Sequence, residues 1–238
     1  MPLVYFGRDN RSLLRLVKLK GCPDKRALVR TCTNGSSELM SNISMSLISM
    51  LYNIQLMKYA GEDGIAAYGV LMYVSLIFQA VFIGYSVGSA PVIGYHYGAQ
   101  NHQELKGLHK KSHLLICMFA VLMFAAGQLL AEPLSHLFVG YDPALMALTV
   151  RGFRFFSCSF LCAGFAIFGS SFFTALGDGI TSALISFLRT LVFQCVAVLI
   201  FPVFWAMDGI WMSIVAAEVL ASGVTFLFLA GKRKQYGY

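Results

Sequence analysis

The side chains with a capacity for chemistry are few, and they sit inside long apolar runs. Wound at 100° per residue, Glu38, Asn42, Ser46, Ser49 and Asn53 fall within an arc of roughly 80°. Tyr68, Ser75, Gln79 and Ser86 share an arc of roughly 40°, and Trp211, Glu218, Ser222 and Thr225 one of roughly 60°. A polar stripe turned to hydrocarbon is costly, so these faces are expected against other helices or a wet cavity. Ser, Thr, Asn and Gln there supply interhelical hydrogen bonds of about 0.6 kcal/mol each. Glu218 differs, because a carboxyl group in mid-segment needs a proton, a cation or a partner. It is therefore expected to have a close hydrogen-bonding partner or to be held protonated, and to be functional rather than a packing residue. Glu38 lies near the end of its run, within reach of water.

Other constellations carry less. His109 and His113 are one helical turn apart, but Lys110 and Lys111 between them would repel a cation, so a solvated basic loop is expected. The six cysteines have no metal-type spacing, and those in apolar runs act as small hydrophobes. Gly84, Gly88, Gly94 and Gly98 match the small-xxx-small spacing of close helix approach rather than a phosphate loop. With no Ser/His/Asp set and no carboxylate pair at a shared depth, no enzyme, metal site or cofactor is expected.

The elements that must position these groups are membrane helices. Of 238 residues, 58% are hydrophobic and 12% charged, against about 25% charged in soluble domains. Six apolar segments appear, at about 35–60, 65–97, 112–131, 144–176, 180–201 and 209–231, so six transmembrane helices are expected. The second and fourth exceed the length needed to cross, and Pro91 is expected to kink the second. Fifteen of the 18 Lys and Arg fall in segments that would lie on one side, Arg189 among them. Lys58, Arg151 and Arg154 fall opposite, beside Glu62, Asp63, Glu132, Asp142 and Asp208. Such a bias places both termini in the cytoplasm of a bacterial inner membrane. It also makes the net charge of +7 a topology signal rather than a nucleic-acid footprint.

TNGSSELMSN opening the first segment, AGEDGIAAYGVLMY across the first turn and GYSVGSAPVIGYHYGAQN ending the second resemble the multidrug and toxic compound extrusion (MATE) family. FLRTLV and DGIWMSIVAAEVL, in the fifth and sixth segments, are similar to it too. The resemblance implies an all-α membrane antiporter that expels amphipathic, often cationic drugs in exchange for H+ or Na+, with two six-helix lobes around a cleft. It implies that this chain is the C-terminal lobe. Residues 1–34 would be a basic cytoplasmic remnant of the inter-lobe link, 35–231 the lobe and 232–238 a cytoplasmic tail. The partners implied are drugs, membrane lipid, and an N-terminal lobe or a second copy. Glu38, Asn42, Ser46, Ser49, Asn53, Tyr68, Gln79 and Glu218 are the candidate substrate and ion pathway, with Met45 and Phe82 adapting to apolar drugs. Some family members carry acids deep in the first and fourth helices of this lobe. Here Ser44 and Met45 hold that depth in the first, and 155–177 contain no acid. The alternatives are a lipid-flippase-like carrier half and an inactive truncated or split-gene fragment.

Overall fold

A computed structural model of the chain describes residues 25–238, apart from the side chains of Glu38 and some of its neighbours. The described chain is all-helical: α1 (Lys25–Gly98), α2 (His102–Val139), α3 (Pro143–Ala175), α4 (Gly179–Phe187), a π-helical turn (Leu188–Phe193) and α5 (Gln194–Tyr236). Four continuous helical runs are long and apolar enough to cross a membrane: Asn42–Gly98, His102–Val139, Pro143–Ala175 and Gly179–Tyr236. The first and last, of 57 and 58 residues, are broken inside. Gly61, in the GEDG turn, has φ 63° and ψ −149°, a backbone region essentially closed to side chains. Trp205 and Ala206 break α5, Ala206 with φ 47°. At Pro91 no break occurs, and the helix runs on to Gly98. Proline removes the donor that would serve the Val87 carbonyl, and the neighbouring Ser86 carbonyl accepts from the Ser89 and Ser171 hydroxyls, each at 3.2 Å.

Short polar turns separate the runs, and each begins the next helix by capping it. Asn101 accepts from the Glu104 N–H at 3.2 Å. Asp142, followed by Pro143, accepts from the N–H groups of Ala144 and Leu145 at 2.8 and 3.2 Å. Asp178 accepts from that of Thr181 at 3.2 Å. Two helices extend beyond the boundaries expected from the sequence. α1 starts by Lys25, inside the supposed link, and α5 continues to Tyr236, inside the supposed tail. Residues 1–24 of that link lie outside the described residues.

α3 is the hub, packing against α1, α2, α4 and α5. It is also the most enclosed run, with 56% of its apolar window buried against 22% for α2. Phe153, Phe160, Phe172 and Phe173 of α3 meet Tyr52, Leu56, Leu71 and Phe82 of α1 and Trp211 of α5, all essentially buried. Phe78 stacks on Phe160 at 5.2 Å between centroids. Close approach to α3 comes from its own glycines and from Gly127 of α2, where an added Cβ would lie 2.7 Å from that of Ser157. A Cβ on Gly164 would lie 2.6 Å from the Phe82 ring, one on Gly152 2.9 Å from Leu71 and Trp211, and one on Gly169 would strike Thr225. Of the four glycines expected at a close approach, only Gly94 makes one, with a Cβ there 3.3 Å from the Ala175 carbonyl oxygen; Gly84, Gly88 and Gly98 have nothing within 4 Å.

Candidate functional site

Among the described residues the most enclosed ion pair is that of Arg189 and Glu218. The Arg189 Nε donates to Glu218 Oε2 at 2.9 Å and to Oε1 at 3.2 Å, and its Nη2 donates to Oε1 at 2.9 Å. Their side chains are 16% and 8% exposed. Glu218 therefore has the close partner expected of it. Arg189 is not the topology signal it was counted as, since it lies inside a helical run and is spent on this pair.

A local distortion makes the arrangement possible. In an α-helix, residues five apart point about 140° apart. The i→i+5 pattern of the π turn brings them to nearly the same side. Arg189 meets Glu218, and Gln194 accepts a hydrogen bond from the Tyr52 hydroxyl at 2.7 Å. That hydroxyl also pairs with Ser213 Oγ at 2.8 Å. Tyr52 in turn stacks on Tyr68 at 5.2 Å with the ring planes 9° apart. Sequence reasoning missed Gln194, Tyr52 and Ser213, and the pairing of Arg189 with Glu218. The only signal was polar residues in the FLRTLVFQ stretch, whose phase the π turn shifts.

The three polar arcs divide. Tyr68, Ser75 and Ser86 are buried and Gln79 half-buried, so the second arc faces the lobe interior. Trp211, Glu218, Ser222 and Thr225 are buried likewise. The first arc points outward: Asn42, Ser46 and Ser49 are exposed and Asn53 is half-buried, while Ser44, Ile48, Tyr52 and Leu56 cover the inner side. Within this lobe the first two arcs do not share a cleft, because they lie on opposite sides of the packed layer. Glu38's side chain is outside the described residues. Met45 is 60% exposed, but Phe82 is 1% exposed and belongs to the core. Across the Gly61 break, Met50, Asn53, Ile54, Met57, Lys58 and Ile65 line an open groove of about 710 Å³. A second groove of about 730 Å³ runs beside Met146, Val150 and Phe155.

The two ends of the lobe differ in charge chemistry. At one end Arg151 pairs with Asp208 at 2.5 Å and Arg154 with Glu132 at 2.7 Å. The two arginines that ran against the charge bias are thus matched by acids of their own end. At the other, Asp178 Oδ2 accepts from Lys232 Nζ at 2.5 Å, Thr181 Oγ1 at 2.7 Å and the Tyr236 hydroxyl at 2.9 Å. His109 and His113 do not form a solvated loop. They lie within α2, His109 4.8 Å from the Tyr238 ring and 5.1 Å from Phe172, because Gly237 (φ 73°) turns Tyr238 back onto the bundle.

Burial alone would raise the Asp178 pKa, but the hydrogen bonds from Lys232, Thr181 and Tyr236 outweigh it and lower the group from 3.8 to about 2. With its folded pKa depressed, the group's contribution is present above about pH 4 and is lost as pH falls through about 2. Asp178→Asn is expected to cost about 2 kcal/mol at neutral pH. Thermal melts in detergent check this: the penalty should shrink between pH 4 and 2, and a pH-independent penalty would contradict it.

The family model of MatE matches residues 39–200. The chain belongs to the MatE family. Solved MatE-type structures superpose on nearly all of it. A MATE transporter in complex with MaL6 is 21% identical, with 95% of this chain and 51% of that chain covered and a TM-score of 0.86. For a MOP superfamily transporter from Pyrococcus furiosus the values are 20%, 96%, 51% and 0.86. For the Vibrio cholerae MATE transporter VcmN in its bent form they are 16%, 91%, 49% and 0.83. At these identities the likeness is one of fold. The chain spans about half the length of the MATE transporters it matches. No curated protein matches.

Proposed function

We propose that the chain is one lobe of a multidrug antiporter that exports amphipathic cationic compounds in exchange for H+ or Na+, and that it works only with a second lobe across the cleft. The second lobe is an N-terminal MatE lobe or another copy of this chain. Each broken run counts as two crossings, which makes six with both termini in the cytoplasm. Glu218 is the coupling group of this lobe, since a proton on it removes the charge that holds Arg189.

The observation that carries the reading is the outward face of α1. Asn42, Ser46 and Ser49 alternate there with Met45, Met50 and Met57, which are 60%, 64% and 53% exposed. Polar groups turned to lipid are costly and methionines adapt to varied apolar shapes, so such a face suits a cleft wall. The test is to express the chain in a drug-sensitive bacterium lacking its own exporters, alone and with an N-terminal MatE lobe. Resistance is expected only when a second lobe is present, supplied in trans or by a cross-linked pair of copies. Resistance from a chain shown by cross-linking to be monomeric would overturn the proposal.

A further inference from the structure

Between the two charged networks of this lobe runs a row of hydroxyl groups. Asp178, Ser182, Ser186, Thr190 and Gln194 recur at every fourth position along α4 and the π turn. From α3, Ser170 and Thr174 face the row. Thr174 Oγ1 lies 2.6 Å from Ser182 Oγ, and Ser170 Oγ lies 2.9 Å from both Ser182 Oγ and Ser186 Oγ. In each of these three links either oxygen can donate. Thr174, Ser182, Ser170 and Ser186 thus form an unbroken string of oxygens inside an otherwise apolar interface. Its first members sit one turn from Asp178, which Lys232 and Tyr236 hold at the lobe's end. Its last, Ser186, sits one turn from Thr190, whose hydroxyl donates to the Ser186 carbonyl at 2.7 Å, beside Arg189 and Glu218.

Interhelical adhesion alone does not need such an order. Hydroxyls in a membrane helix satisfy themselves on the carbonyl four residues back, as Thr149 and Thr225 do at 2.8 Å. Thr174 Oγ1 also reaches the Ser170 carbonyl at 3.1 Å and Ser170 Oγ the Ser182 carbonyl at 3.3 Å, but here the hydroxyls chain to one another as well, in line between titratable groups. We propose that this string is a proton relay which carries protons between the Asp178 end of the lobe and the Glu218 carboxylate. The inference rests on Glu218 being the coupling group.

A hydronium ion in the water at the Asp178 end gives one proton to the Thr174 oxygen and becomes water. Thr174 passes its own proton to Ser182, Ser182 to Ser170, and Ser170 to Ser186, which delivers one to Glu218 through a water admitted to the intervening turn. Each hydroxyl loses the proton it held and gains another. The net change is one proton lost from the Asp178 side and one O–H bond formed on Glu218. Arg189 stays charged and is released from its partner. The other titratable groups facing Glu218 are Cys162 of α3 and Tyr52 of α1, with Cys195 of α5 beside Tyr52. None of them lies in the string.

The test uses the full chain in lipid vesicles and follows the carboxylic acid band of Glu218 by time-resolved infrared spectroscopy after a pH jump. Glu218→Gln should abolish the band. Ser170→Ala should slow its rise by about a hundredfold without moving its midpoint pH, since a lost relay member changes rate rather than affinity. Ser186→Ala should do the same, and Ser170→Thr, which keeps the hydroxyl, should restore the rate. An unchanged rate in both alanine variants, a shifted midpoint with an unchanged rate, or a band that survives Glu218→Gln would overturn the relay. A relay that behaves as expected in a chain whose assembled form exports drugs independently of pH would leave the relay standing and sink the coupling role.

Discussion

Arg189→Ala is expected to destabilise the lobe by about 3–5 kcal/mol. The reason is asymmetry. Together the two side chains neutralise one another through three hydrogen bonds, and both are largely shielded from water. Removing the guanidinium leaves a carboxylate among apolar neighbours with its desolvation uncompensated. Glu218→Leu leaves an isolated cation and should cost a similar amount. Arg189→Met combined with Glu218→Leu should recover most of the loss, because an apolar pair of similar volume needs no partner. Thermal melts in detergent of the two single variants and the double variant check this. Additive losses would mean that the pair is not a unit. The pair also anchors the π turn, so the single variants should weaken the Tyr52–Gln194 contact five residues on.

The second large effect belongs to the glycines of α3. Gly169→Leu and Gly164→Leu are expected to prevent the lobe from assembling, while Gly88→Leu leaves its melting temperature nearly unchanged. A single Cβ at Gly169 would strike Thr225 of α5, and at Gly164 it would press on Phe82 of α1. Overpacking by one or two methylenes costs about 1–3 kcal/mol, and a leucine adds more on a helix that touches every other helix. Gly88 has open space around its Cβ position in this lobe. Melting and limited proteolysis of the three variants would decide it. A stable Gly169→Leu protein would show that α3 and α5 can separate at no great cost.

Much of this protein follows from its sequence alone. The apolar runs and scarce charge specify membrane helices, because no soluble core needs stretches of that length. The GEDG turn falls at the break at Gly61, because that backbone conformation strongly favours glycine. The motifs identify the family. Helical periodicity also groups the polar residues into faces correctly, since it depends only on the rise and twist of one helix.

What a face meets is a different matter, and only the tertiary structure decides it. Asn42, Ser46 and Ser49 share an arc just as Tyr68, Ser75 and Ser86 do, yet one arc points out of the lobe and the other into it. His109 and His113 keep their helical spacing but are packed against Tyr238 and Phe172, which lie far away in the chain. Gly84 and Gly88 have the spacing of a crossing point but open space around them, while close approaches occur at Gly94, Gly127, Gly152, Gly164 and Gly169. The partner of Glu218 depends on a π turn that shifts helical phase by a fraction of a turn, and no residue pattern marks it. Pairings across helices depend on crossing angles, rotations and such local shifts, which arise from all the packed side chains together.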